Sequence, residues 1–153
     1  MSRRDDLGSW LEGPPVDPAG ESGLGLPAGG AGSLAPLPRR VVALVIDWFG
    51  SLAVSGLLFP EDGAARGVLA GDPFATLAVF AVSSAVLVGL LGHTIGHRLV
   101  GLRVVRLRDG RVPGPVAGVV RTALLLLVVP AVVWDGDGRG LHDVAAGTVI
   151  VRR

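Results

Sequence analysis

Between Phe74 and Leu91 the chain carries no charged side chain and only three hydroxyls, those of Thr76, Ser83 and Ser84. At 1.5 Å per residue, a helix of that length covers most of a hydrocarbon core about 30 Å thick. Val41 to Phe59 is a second block of the same kind, with Asp47 as its one charge, closed by Pro60, Glu61, Asp62 and Gly63. In lipid, every backbone N–H and C=O must find a partner within the protein, so both blocks are read as helices. Composition agrees with this reading. Half of the 153 residues are hydrophobic and 18% are charged, and Leu, Val and Ala are gathered into blocks rather than spaced along one face.

A third apolar block, Val116 to Trp134, holds Arg121 near its start and Pro130 inside its strongest run. Two readings are open for it: a full crossing, or entry and return on one side, which a proline break accommodates where protein shields the backbone. The β-branched run Thr148 to Val151 reads as a strand, with Leu102 to Val105 as its natural partner if both lie on the same side. The expected fold is therefore an all-α membrane protein with transmembrane helices at about 41–59 and 74–91. A third segment at about 116–134, spanning or re-entrant, and a small cytoplasmic β-pairing complete it. Residues 1–38 are rich in Gly and Pro and read as a disordered cytoplasmic tail with no signal peptide, leaving 39–153 as the membrane domain.

Charge sets the expected orientation. Arg39 and Arg40 precede the first block, and Arg98, Arg103, Arg106, Arg108 and Arg111 follow the second, whereas Glu61, Asp62 and Asp72 dominate the connection between them. The arginine-rich ends belong in the cytoplasm, which makes a multi-pass hairpin in the plasma membrane with the N-terminus inside. The net charge of +1 gives no footprint for nucleic acid. There are no cysteines, so thiol chemistry and disulfides are excluded.

Charges inside apolar blocks are the first candidates for function, because a carboxylate at mid-span costs about 3 kcal/mol to insert and has to face protein. Asp47 is one, and Arg121, at similar depth from its own helix start, is the expected ion-pair partner. Arg40, two turns from Asp47, reads as an interface residue that meets phosphate or Asp143. Gly92, Gly96 and Gly101 read chiefly as packing glycines, with chain reversal as the other use of such residues. His93 and His97 share a helical face, but with His142 as the one other histidine they lack the donor set of a zinc site. The Asp135 to Arg139 segment reads as a polar turn, without the glutamate of a calcium loop. No metal or other cofactor is expected.

Four separated segments then carry a resemblance: Arg40-Val-Val-Ala-Leu-Val-Ile-Asp47, Gly92-His-Thr-Ile-Gly-His-Arg-Leu-Val-Gly-Leu-Arg-Val-Val105, Arg121, and Leu141-His-Asp-Val-Ala-Ala-Gly-Thr-Val-Ile-Val151. In order and spacing they resemble the RDD family of bacterial membrane proteins over about residues 38–153. The resemblance implies that Arg40, Asp47 and Asp143 are the signature residues, with Asp135 a weaker choice for the last. It also implies a bacterial cell membrane and, by suggestion only, transport of an unidentified ligand. His93 and His97 depart from the Gln and Lys more usual in relatives.

No nucleophile and base pair, Walker motif or dinucleotide fingerprint is present, so an enzyme is not expected. Two functions remain. One is transport of an ion or small solute, with Asp47 as the intramembrane carboxylate. The other is a non-catalytic membrane scaffold or assembly factor whose buried charges fix helix packing. Two or three spans enclose too little for an access pathway, so beyond the lipid bilayer the expected partner is a second copy or another membrane protein.

Overall fold

The structure, a computed structural model, describes residues 23–60, 67, 69–127 and 138–153. Helix α1 runs Leu37–Leu58 and helix α2 runs Pro73–Leu91, each with a proline in its first turn, where a missing N–H costs nothing. The 22 residues of α1 amount to about 33 Å, and both helices are long and apolar enough to cross a membrane. Asp72 caps α2 by accepting from the Ala75 N–H at 2.7 Å. Gly92, with φ +73°, ends it in the left-handed region that glycine adopts without strain.

The two helices form an antiparallel hairpin. Its closed end is tied by Asp72 N–H to Phe59 O at 2.9 Å and by the Ser55 hydroxyl to Asp72 O at 3.1 Å. Midway along, Trp48 meets Phe80 edge to face, with ring centroids 5.7 Å apart. The hairpin is apolar outside, and apart from Phe80 and Val88 its buried positions are small or polar. Ala43, Ser51, Ser55, Thr76 and Ser84 are buried, while Phe74 is 83% exposed and Val82 64% exposed, alongside Val45, Phe49, Leu57 and Leu90. A core helix of a soluble protein shows the opposite arrangement; lipid as solvent accounts for this one.

Beyond Gly92 the chain doubles back into a short helix α3, Ile95–Leu99, and then into strand β1, Leu102–Arg106. Strand β2, Thr148–Arg152, pairs antiparallel with β1 in the register Leu102↔Arg152 to Arg106↔Thr148. The sequence expectation of this pairing is met, with Arg106 and Arg152 added. One face of the sheet, through Leu102, Val104 and Ile150, packs on Ala43 of α1 and Val88 of α2. The other, through Val105, Val149 and Val151, is covered by Leu24, Leu26 and Leu34.

Within the stretch 1–38 that reads as a disordered tail, residues 23–38 are described, and they are held against the sheet and in the start of α1. Residues 32–35 run along the free edge of β2, with Gly32 N–H to Arg152 O at 2.8 Å, Arg152 N–H to Ser33 O at 2.9 Å and Ala35 N–H to Ile150 O at 2.9 Å. Ser33 and Ala35 are buried. An exposed edge strand is thereby satisfied, and the ordering entropy of the Gly/Pro-rich segment is offset by hydrogen bonds and leucine burial. Residues 1–22 lie outside the described part.

Of the third apolar block, the structure describes helix α4, Pro115–Leu126, and then a short helix α5, Leu141–Ala145. The 12 residues of α4 amount to about 18 Å, too short to cross. The chain leaves the sheet at Arg106 and is back at Thr148, so the described flanks of the block come together at one end of the hairpin. This is the returning alternative. Pro130, Trp134 and Asp135 lie outside the described residues. Helix α4 crosses α2 where two glycines meet: a Cβ on Gly118 would lie 2.6 Å from Ala85 O and 2.9 Å from the Gly89 Cα. This small-residue crossing was not read from the sequence.

Candidate functional site

Asp47 points from α1 at the N-terminus of α3. Its Oδ1 accepts from the Gly96 N–H at 2.7 Å, and its Oδ2 accepts a short hydrogen bond from the Thr94 hydroxyl. The local sequence explains the fit. Thr94 is the N-cap of α3, its Oγ1 accepting from the His97 N–H at 3.1 Å, and free N–H groups at a helix start suit an anion. Gly96 lets the approach happen, since a Cβ there would strike the Ala43 carbonyl and lie 2.8 Å from Asp47 Oδ2. The His97 ring closes the group, with Nδ1 2.6 Å from Thr94 Oγ1 and 3.4 Å from the Thr94 N.

A cavity of about 100 Å³ opens beside these residues. Arg40, Asp47, Thr94, His97, Arg121 and His142 line it, against apolar walls that include Leu44, Phe80 and Leu125. It has room for a few water molecules or one small solute.

Arg121 does not pair with Asp47, as the sequence suggested. It is 3% exposed, and its Nε donates to Asp143 Oδ1 at 2.7 Å. Thr148 of β2 donates to the same carboxylate oxygen at 3.0 Å. The physical reason is rotation about the helix axis: depth follows from residue count, but the direction in which Arg121 points is set by the α2–α4 crossing, and α5 lies on that side. Asp143 is fully buried. Burial alone would push its carboxyl up, but the charge of Arg121, then His142, the Arg121 hydrogen bond and Arg40 outweigh that and hold it below the usual range. Its second oxygen has no hydrogen bond among the described residues and faces His142 Nε2 at 3.5 Å.

Arg40 ties the start of α1 to its surroundings, donating to Ala35 O at 2.8 Å and to Gly138 O at 3.1 Å. The three glycines divide. Gly96 is a packing glycine. Gly92 combines a positive φ with a close approach, since a Cβ would lie 2.9 Å from Val104 O. Gly101, with φ +72° and nothing within 4 Å of a built Cβ, corrects the packing expectation: it serves the turn into β1. Thr94 and Thr148 were missed altogether. The first had a signal, a threonine ahead of a short run that begins beside a left-handed glycine, whereas the second lies within a strand and had none.

Residues 34–147 match the family model described as RDD family, a range that holds Arg40, Asp47, Thr94, His97, Arg121 and Asp143. The chain belongs to the RDD family. No curated protein and no solved structure matches it. Together with the apolar exterior of the hairpin, the family assignment makes this a membrane-associated RDD domain. The match begins at Leu34, inside the segment that edges β2, so this ordered stretch falls partly within the RDD domain.

His97 gives the RDD domain a built-in acid sensitivity. Burial, then the charges of Arg121, Arg40 and His93 against that of Asp143, bring its imidazole from 6.5 down to about 3. Between those values the unfolded chain holds a proton that the folded chain does not, so stability is full above about pH 6.5 and falls as pH drops towards 3. From pH 7 to pH 5 this one group should cost about 2 kcal/mol. Unfolding of the detergent-solubilised protein at the two pH values measures it, and His97→Asn should remove most of that slope; an unchanged slope would contradict the assignment.

Proposed function

We propose that this RDD protein binds a small ion or solute in the chamber beside Asp47 and works as a subunit of a membrane transport assembly. The observation that carries the reading is the convergence of Asp47, Thr94, His97 and Arg121 on one cavity against a hairpin whose exterior is apolar. An ionisable side chain in a span is expensive, and a cavity at that point gives it a use. In this reading the arginine-bearing sheet end faces the cytoplasm of a bacterial cell, and Phe59 and Asp72 at the closed end of the hairpin face the far side of the plasma membrane. Two long helices and a short one do not enclose a pathway by themselves, so several copies or a membrane partner complete it.

Reconstituted vesicles test this directly. Asp47→Asn keeps the shape of the side chain and removes its charge, and ion-coupled flux should fall at least tenfold. Equal flux in variant and wild type would sink the carrier role of Asp47.

One observation favours a second reading, that of a scaffold. The Arg121, Asp143 and Thr148 cluster joins α4, α5 and β2 while contacting the chamber at its edge only, as a device for fixing packing would. Under this reading Asp47→Asn lowers protein level or assembly and leaves no flux to lose.

A further inference from the structure

The Thr94 hydroxyl cannot donate to both of its side-chain neighbours at once. It has one proton, and two acceptors are within reach, Asp47 Oδ2 and His97 Nδ1. Two neutral-imidazole arrangements satisfy the geometry. In the first, Asp47 is ionised and takes the Thr94 proton, while His97 carries its own proton on Nδ1 and donates it to Thr94 Oγ1. In the second, Asp47 is protonated on Oδ2 and donates to Thr94, Thr94 donates to His97 Nδ1, and the imidazole proton sits on Nε2. The Thr94 N–H, 3.4 Å from Nδ1, bonds to the ring in the second arrangement only.

We propose that Asp47, Thr94 and His97 form a proton wire whose two states are opposite directions of the same hydrogen-bond chain. A proton arriving at His97 Nε2 forms an N–H bond there. The Nδ1–H bond breaks and an O–H bond forms on Thr94, whose former O–H bond breaks as one forms on Asp47 Oδ2. One proton enters and one is stored on the carboxylate, and His97 is neutral before and after. Thr94 is the positioning residue, held by its N-cap role. The Gly96 N–H stays on Oδ1 throughout, so the carboxylate does not turn.

The surroundings suit this traffic. Arg40 of α1, Arg121 of α4, and His142 and Asp143 of α5 stand around the chamber, and His93 precedes Thr94. Arg40 and Arg121 disfavour a metal cation there. Among the side chains lining the cavity, only Asp47, Thr94 and Ser84 bring oxygen atoms, short of the six or more that a hard cation such as calcium takes. A proton needs no such cage. The buried imidazole, with its value near 3, relays without resting in the charged form.

The inference deepens the chamber reading, and its test is spectroscopic, so either can fail while the other stands. The full chain is labelled with 15N-histidine in lipid, at a pH where infrared difference against Asp47→Asn shows no protonated carboxyl. His97 is assigned by loss of its signals in His97→Asn. The wild type should carry the ring proton on Nδ1. Asp47→Asn, whose amide can donate to Thr94 while its oxygen keeps the Gly96 bond, should move that proton to Nε2. Thr94→Val should abolish the difference between the Asp47 and Asp47→Asn backgrounds, and Thr94→Ser should preserve it. One tautomer in both wild type and Asp47→Asn, or a swap that persists with Thr94→Val, would overturn the wire.

Discussion

Arg121→Gln or Asp143→Asn alone will destabilise the protein by about 3–5 kcal/mol, and the two together by much less than their sum. Each side chain is almost wholly removed from solvent, and Arg121 is the largest of the charges that act on Asp143. Removing one leaves a largely desolvated charge without its bonded counter-charge. Removing both leaves two amides that can hydrogen-bond to each other and to Thr148. Denaturation in mild detergent or nanodiscs gives the four corners of the cycle. A double variant as damaged as the sum of the singles would show that the pair is not coupled. The same cycle with Asp47 in place of Asp143 should show a much smaller coupling, because Asp47 shares the cavity with Arg121 but is bonded to Thr94 and Gly96.

Gly96→Ala should cost at least about 3 kcal/mol and detach α3 from α1. Elsewhere in a helix the same exchange is favourable by about 1 kcal/mol, so its sign here reports sterics alone. The added methyl would run into the Ala43 backbone, which cannot yield without bending α1. Overpacking of this kind costs about 1–3 kcal/mol. Pushing α3 away also breaks the Gly96 N–H bond to the Asp47 carboxylate, a charge-assisted bond worth about 1.5–3 kcal/mol. Gly101→Ala is the comparison. It carries only the strain of a positive φ in open space, about 1 kcal/mol. Equal unfolding temperatures for the two variants would refute the close-packing role of Gly96.

The elements were legible wherever the pattern was local. Blocks of Leu, Val and Ala give the two long helices to within a few residues, and β-branched runs give the strands and their pairing. The returning course of the third block was legible only as one of two alternatives, because the deciding fact, β2 beside β1, spans some fifty residues. The site divides in the same way. Asp47 and Arg121 stand out as charges in apolar sequence, and helical rise places them at similar depth, but rise says nothing about which way each points around the bundle. The partner of Arg121 therefore could not be chosen from spacing, and Asp143 entered only through the family resemblance. The order of residues 23–38 was not legible because it comes from an edge that the rest of the chain provides. Leu24, Leu26 and Leu34 are ordinary loop leucines until the outer face of the sheet exists.

Strand β2 follows in the chain everything that it holds. Residues 32–35, α1, α2 and β1 all precede Thr148 to Arg152 in the chain, and Arg121 of α4 precedes Asp143. The hairpin can insert early, from local contacts, whereas the sheet and the buried ion pair close late, over separations of 22 to more than 100 residues. Until then Arg121 lacks the Asp143 carboxylate, and β1 lacks its partner strand. The last strand of the chain is thus the one that closes the sheet, holds residues 32–35 and brings Thr148 to the buried pair.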